Sequence, residues 1–129
     1  LEDTWRRAGV PGVEAMDGIE THDCFTTTEY MAIDHLGLTP PGQSWQAVED
    51  GRIERGGSCP VNMSGGLIGC GHPVGATGCA QIVELTEQLR GQSGPRQVAG
   101  ARIALAHNGG GAIGTDAAAT VVTILERAD

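Results

Sequence analysis

The segment 62–78 constrains this chain more than any other, because it holds six glycines, one histidine and one proline in seventeen residues. Glycine loses the most backbone entropy on folding, and it is used where φ must be positive or the backbone must approach another group closely. Pro73 suits a first helical turn, since its φ is fixed near the helical value and it has no N–H. We therefore predict a closely packed glycine loop that leads into a helix, with His72 at the start of that helix.

A helix is predicted over 74–89. Ile82, Leu85 and Leu89 recur at spacings of three and four residues and form one apolar face. The first half contains only small residues, so that end can pack tightly against another backbone. Backbone N–H groups at a helix start point outward and favour negative charge. A neutral imidazole at His72 would suit a hydrogen-bond donor or a base.

The remaining pattern alternates helices and strands. Helices are predicted to end at Ala8 and to span 26–36 and 43–49, and strands are predicted at 17–21, 59–62, 101–106 and 117–125. The residues His107 to Gly111 read as a second glycine loop between the last two strands. This alternation predicts one α/β domain over 1–129, with a mostly parallel sheet covered by helices and an antiparallel strand pair at the C-terminus.

Composition excludes several classes of function. The net charge is −8 and no basic run is present, which argues against nucleic acid and anionic membrane surfaces as partners. No apolar run reaches the roughly 18 residues of a membrane span. The four cysteines form no C-x-x-C motif, so no metal site is expected and reduced thiols in a cytoplasmic protein are the default. The chain begins at Leu1 in what reads as mid-helix, so we expect further polypeptide before it.

Three histidines fall where predicted strands and loops meet: His22, His72 and His107. Sites in such sheets lie beyond the carboxyl ends of the strands. Imidazole and backbone N–H groups can hold a developing oxyanion, and a cysteine can move a proton or act as a nucleophile. Each residue also has a purely structural interpretation, and three of the cysteines are more typical of packing than of reactivity: Cys59, Cys70 and Cys79. Neither a phosphate loop nor a clean dinucleotide fingerprint is present.

The residues from Ser64 to Gly78 resemble the signature of the thiolase superfamily, in which the Gly-His-Pro triplet is the most specific mark. The similarity extends through 88–91 and 97–101, so nearly the whole chain resembles the C-terminal half of a thiolase. Most thiolases carry Asn-Glu-Ala-Phe where this chain has His-Asp-Cys-Phe at 22–25. That motif resembles the sterol-carrier-protein class of thiolases and its lipid-transfer relatives.

The resemblance implies a role for each matching residue. His72 and His22 would donate to the oxyanion hole for the thioester carbonyl, and Cys24 would be the acid/base at the α-carbon. In most thiolases a second cysteine, in a Cys-x-Gly motif, has this acid/base role. This chain has His107 at that position, which agrees with the assignment of the role to Cys24. Gly109 would offer a backbone N–H to a second oxyanion hole. The pantetheine of coenzyme A, a substrate or product rather than a bound cofactor, would contact Ser64, Gly65 and Gly66.

The family's nucleophilic cysteine lies in the N-terminal half, which this chain lacks, so the chain alone is expected to be incomplete as an enzyme. The implied activity is acyl-CoA acyltransfer: thiolytic cleavage or Claisen condensation of a 3-ketoacyl-CoA in lipid or sterol metabolism. One alternative is a thiolase-fold aldolase that cleaves a β-hydroxyacyl thioester with the help of a partner protein and uses a tyrosine, here Tyr30, or a histidine as its base. A non-catalytic module that binds lipid or acyl-CoA is the other. The resemblance further implies a homodimer or hetero-oligomer.

Overall fold

The computed structural model describes residues 2–114 and 116–128. The helices are α1 (Glu2–Ala8), α2 (Thr26–Leu36), α3 (Ser44–Glu49), α4 (Gly66–Cys70) and α5 (Thr77–Arg90), with two short 3-10 turns at Val13–Ala15 and Gly94–Arg96. The strands are β1 (Gly18–Thr21), β2 (Ile103–Ile113) and β3 (Asp116–Glu126). The α/β class, and the helix and strand positions predicted for most of the chain, are confirmed.

The described strands form one mixed sheet in the order β1-β2-β3. Strand β1 runs parallel to β2, with Thr21 opposite His107, and β2 runs antiparallel to β3. Val61 adds a single parallel bridge to Ile19 at the outer edge of β1. The sheet therefore combines a parallel side with the antiparallel C-terminal pair that the sequence predicts.

Helices cover both faces of the sheet. Leu105 is fully buried in a cluster with Ile19 of β1 and with Ala32 and Leu36 of α2. The flanking residues Ala104 and Ala106 belong instead to a second cluster with Leu85 and Leu89 of α5. Successive side chains of a strand point to opposite faces, so β2 alternates between the two helical layers. Because α5 meets alanines, its backbone lies close to the sheet.

Three local predictions are wrong. The residues His107–Gly111 are part of β2 rather than a loop, because Asn108, Gly109 and Gly110 pair with residues of β3. The predicted strand at 59–62 is reduced to the bridge at Val61. Helix α5 begins at Thr77 rather than residue 74, because the Pro73 carbonyl closes a separate turn by accepting from the N–H groups of Ala76 and Thr77.

One face of the first half of α5 is exposed, although Thr77 and Gln81 on the other face are buried. Ala76 and Ala80 are open to solvent, and Val83 is 57% exposed, although small and apolar residues were predicted to pack tightly here. Within the part of the chain that the structure describes, nothing covers this face. No described helix has the length and apolar character needed to cross a membrane.

Shortening a core side chain tests the packing between β1 and α2. Ile19 is 1% exposed and pairs with both β2 and Val61. We expect Ile19→Val to lower the free energy of unfolding by about 0.5–1.5 kcal/mol, the usual cost of removing one buried methylene. Val121→Ala, at a position 60% exposed on β3, should change it by no more than about 0.5 kcal/mol. Urea unfolding measures both, and equal effects would contradict this core.

Candidate functional site

The site lies beyond the carboxyl end of β1. His22 follows the last residue of β1, and its Nδ1 lies 2.8 Å from Oδ1 of Asn108, on the neighbouring strand β2. The imidazole of His72 meets that of His22 edge to face, with 4.9 Å between the ring centroids. The fold therefore brings together two histidines that are fifty residues apart in the sequence.

His72 is held from the start of α5. Its Nδ1 lies 2.7 Å from Oγ1 of Thr77, the first residue of the helix, which is 3% exposed. The glycine segment thus turns twice, through α4 and through the turn closed by Pro73, before α5 begins. These two turns bring His72 back toward the end of β1.

Four of the predicted site residues line one open groove of about 1030 Å³, the histidine groove: His22, Cys24, His72 and Gly109. Parts of α2, β2 and β3 form the rest of its lining. Cys24 is exposed, and its Sγ lies 4.0 Å from the Thr28 hydroxyl. The groove thus offers a thiol, four imidazoles (those of His22, His35, His72 and His107) and the backbone of a glycine strand.

The segment that carries His22 and Cys24 is anchored by the residue between them. Asp23 is 3% exposed, and its Oδ1 accepts a hydrogen bond of 2.7 Å from the backbone N–H of Leu67 in α4. A Cβ on Gly66 would lie 2.2 Å from the other carboxylate oxygen of Asp23. Gly66 also has φ of +61°, which disfavours any side chain. This glycine therefore permits the close contact between α4 and the segment after β1 that carries His22 and Cys24.

The residues predicted to contact coenzyme A are placed differently. The Ser64 hydroxyl donates to Glu20 at 2.6 Å and accepts from the N–H of Gly66 at 3.0 Å. Ser64 and Gly66 line a second groove of about 330 Å³ between α4 and α5, while Gly65 is exposed. The structure thus sets these residues apart from the histidine groove, and their contact with coenzyme A stays a prediction.

Glu20 is a buried carboxyl on β1, 2% exposed. Burial raises the pKa of Glu20 above its ordinary value, and two hydrogen bonds from Ser64 only partly oppose this. The folded chain therefore keeps a proton that the unfolded chain has already released as the pH rises. Ionisation of Glu20 must cost stability across that pH range.

The pH dependence of unfolding tests this account of Glu20. Since the folded pKa is the higher one, we expect the free energy of unfolding to fall as the pH rises from about 4.5 toward the folded value. Glu20→Gln should flatten the curve over that range, whereas Glu49→Gln, at an exposed position on α3, should leave it as it is. Urea titrations between pH 4 and 8 measure this, and parallel curves for Glu20→Gln and the parent chain would refute it.

The sequence analysis assigned no role in the site to Thr21 or Asn108. Thr21 lies opposite His107 in the sheet register, and its hydroxyl lies 2.8 Å from Nδ1 of His107. Burial and the nearby His22 lower the pKa of His107. Asn108 was not among the predicted site residues, yet it contacts His22. The signal in the sequence was the His-Asn pair directly after the apolar run 101–106.

The other cysteines are not among the residues that line the histidine groove. Burial raises the pKa of Cys59 to about 12, which suits a packing role. Cys70 donates from its thiol to the Ser64 carbonyl oxygen at 3.1 Å, and Cys79 is exposed on α5. Among residues 2–114 and 116–128, no three His, Cys, Asp or Glu side chains are grouped so as to hold a metal ion.

The chain matches the family described as "Thiolase C-terminal domain-like" over residues 2–127 and belongs to it. The sequence motifs and the α/β fold agree with this membership.

Several named proteins are similar to this chain in sequence. Rat "Sterol carrier protein 2" is 51% identical over 107 residues, which are 81% of this chain and 20% of that protein. The "Acetyl-CoA acetyltransferase" of Methanothermobacter thermautotrophicus is 49% identical over 102 residues, which are 79% of this chain and 27% of that protein. The "Benzoylsuccinyl-CoA thiolase subunit BbsB" of Thauera aromatica is 40% identical over 101 residues, 78% of this chain and 26% of that protein. The chain thus spans about a fifth to a quarter of these relatives.

A solved structure shares the fold. The "Ltp2-ChsH2(DUF35) aldolase" superposes with a TM-score of 0.73 at 24% sequence identity, covering 82% of this chain and 26% of that one. At this level of identity the similarity shows the fold alone.

Proposed function

We propose that this chain supplies part of the active site of a thiolase-type acyl-CoA acyltransferase that cleaves or forms 3-ketoacyl-CoA thioesters. The observation that carries the proposal is the edge-to-face pair of His22 and His72 on a groove that also holds Cys24. The 49% identity to an acetyl-CoA acetyltransferase supports the same class.

The reaction needs an enolate that is stabilised as it forms. In this proposal, His22 and His72 donate N–H hydrogen bonds to the thioester oxygen, where neutral donors stabilise negative charge without adding a full positive one. Cys24 takes the α-proton as thiolate and returns it as thiol. The backbone N–H of Gly109 contributes to a second oxyanion hole.

Coenzyme A enters as substrate or product, and we place its pantetheine near Ser64, Gly65 and Gly66. The nucleophile that carries the acyl group is proposed to come from an N-terminal half outside this chain. That half would cover the exposed first part of α5, in a cytoplasmic homodimer or hetero-oligomer. An apolar helix face that lacks cover within the described residues supports such a partner.

The aldolase alternative has weaker support. It would need a base such as Tyr30, the chain's one tyrosine. Tyr30 is 43% exposed on α2 and is not among the residues that line the histidine groove. The aldolase of similar fold adds no argument about chemistry.

A chimaera tests the proposed function. The matched 102 residues of the Methanothermobacter acetyl-CoA acetyltransferase are replaced by those of this chain, and cleavage of acetoacetyl-CoA by coenzyme A is followed. We expect turnover, and we expect Cys24→Ala to lower it by about 10²- to 10⁴-fold, the usual contribution of a general acid/base. Cys79→Ala is the matched control, since this exposed thiol on α5 is not among the residues that line the histidine groove.

Two outcomes would contradict the proposal. One is a chimaera that folds and binds coenzyme A but gives no cleavage. The other is a chimaera in which Cys24→Ala and Cys79→Ala have the same activity.

A further inference from the structure

Cys24 lies between two anchored residues. On one side, the carboxylate of Asp23 accepts a hydrogen bond from the N–H of Leu67. On the other side, both backbone polar groups of Phe25 bind the hydroxyl of Thr28. The Phe25 N–H donates to Oγ1 of Thr28 at 3.2 Å, and the Phe25 carbonyl oxygen accepts from that hydroxyl at 2.5 Å. The backbone on either side of Cys24 is therefore held, and Thr28 supplies one of the two anchors.

The side chain of Cys24 is not fixed by packing. It is exposed, so neighbouring atoms do not select among its staggered rotamers. Among the residues that the structure describes, its sulfur makes one hydrogen-bond contact, at 4.0 Å from Oγ1 of Thr28. The orientation of this thiol therefore depends on Thr28.

The Thr28 hydroxyl has only an acceptor position left for Cys24. A hydroxyl carries one proton and two lone pairs. The Phe25 carbonyl oxygen takes the proton, because it lies at 2.5 Å, whereas the sulfur is a weak acceptor at 4.0 Å. The Phe25 N–H occupies one lone pair, which leaves the second for the S–H of Cys24.

We propose that Thr28 is a positioning residue for Cys24, whose S–H donates to the Thr28 hydroxyl oxygen and is thereby held at one place in the histidine groove. Thr28 itself lines that groove. The hydrogen bond is a property of this chain, and only its use in turnover rests on the proposed function.

A fixed sulfur suits the role of Cys24 in the proposed reaction. A general acid must lie within hydrogen-bond reach of the atom that it protonates, and small misplacements are costly in rate. The contact with Thr28 fixes the sulfur beside the imidazoles. The thiol proton then needs only to turn about the Cβ–Sγ bond to reach the α-carbon, where it forms the C–H bond and leaves the thiolate.

Raman spectroscopy of the 129-residue chain tests the hydrogen bond directly, because the S–H stretch falls where other protein groups do not absorb or scatter. The difference between the parent chain and Cys24→Ala isolates the band of Cys24. The exposed Cys79, isolated in the same way, is the reference, since its thiol makes no hydrogen bond to the described residues. We expect a narrower band at lower frequency for Cys24 than for Cys79. Coinciding bands would overturn the inference, even if no variant of Thr28 folds.

Variants of Thr28 give the second test. Valine has nearly the shape of threonine but no hydroxyl, so Thr28→Val should move the Cys24 band to the position and width of the Cys79 band. Thr28→Ser keeps the hydroxyl and should leave the Cys24 band in place. A lost helix cap alone would not produce this pattern, because the band reports the S–H bond itself. A Cys24 band that is the same in Thr28→Val and in the parent would overturn the inference.

The chimaera shows whether the hydrogen bond serves turnover. Thr28→Val should lower kcat for acetoacetyl-CoA cleavage by about 2- to 10-fold, the loss expected from one hydrogen bond, with KM nearly unchanged. Thr28→Ser should restore kcat. Thr27→Val is the matched control, because Thr27 is exposed and is not among the residues that line the histidine groove. Equal kcat for Thr28→Val and Thr27→Val would overturn the positioning role.

The two proposals can fail separately. An inactive chimaera combined with a Cys24 band that depends on Thr28 overturns the proposed function alone. An active chimaera combined with a Cys24 band that does not depend on Thr28 overturns this inference alone.

Discussion

Replacing His72 by alanine in the chimaera is expected to lower kcat for acetoacetyl-CoA cleavage by about 10²- to 10³-fold. The ring of His72 meets that of His22 at 4.9 Å, and its Nδ1 is held by Thr77, so its other nitrogen is free to serve the groove. Removing one preorganised donor leaves the developing oxyanion with a single imidazole. Because the donor acts mainly on the transition state, KM should change far less than kcat. Steady-state kinetics on the purified chimaera measure both quantities.

His72→Asn separates a lost donor from a lost ring. The asparagine amide keeps an N–H group, so this variant should retain more activity than His72→Ala. Two results would show that His72 is not part of the proposed oxyanion hole. One is a rise in KM with kcat unchanged, and the other is equal activity for His72→Ala and the parent chimaera.

Gly66→Ala is expected to destabilise the 129-residue chain by about 2–6 kcal/mol. The new Cβ would lie 2.2 Å from the Asp23 carboxylate, which is buried and bound to the N–H of Leu67, so the carboxylate cannot move without losing that bond. Leaving a buried polar group unpaired costs about 1–3 kcal/mol, and a side chain at φ of +61° adds about 1–3 kcal/mol. Urea unfolding of the purified chain measures the loss.

Gly69→Ala is the matched control, because it makes the same change in the same short helix. A Cβ there would meet no atom within 4 Å, and Gly69 is not among the glycines with positive φ. This variant should be neutral or slightly stabilising. If Gly66→Ala unfolds at the same urea concentration as Gly69→Ala, then α4 does not contact the segment that carries His22 and Cys24 as described.

Helix α5 was predictable because the spacing of its apolar residues reflects burial directly, whereas α4 lies in the segment predicted as a glycine loop. The apolar residues of α5 recur along one face, and the structure buries Leu85 and Leu89 against the sheet. The extension of β2 through 107–111 was not predictable in the same way. Glycines favour a loop locally, and only the pairing of Gly109 and Gly110 with Thr120 and Ala119 makes this segment a strand. Pairing depends on residues ten or so positions away in the sequence, which local propensity does not register.

The candidate site was likewise predictable only in part. Strand ends predicted that His22 and His72 lie at one edge of the sheet, and the structure brings their rings into contact. The partners that orient the rings were missed, because Asn108 and Thr77 reach them only through the register of β2 and the delayed start of α5. Motifs identify reactive side chains more readily than the groups that hold them in place.

Exchange of the α-protons of acetyl-CoA in heavy water tests the central claim most directly, because it isolates enolate formation from acyl transfer. The chimaera should introduce deuterium into the acetyl group, measured by mass spectrometry. Cys24→Ala should slow the exchange by about 10²-fold or more while coenzyme A binding persists. Exchange that is unaffected by Cys24→Ala, or that is absent from a chimaera that still binds acetyl-CoA, would contradict the assignment of this groove as a thioester enolisation site.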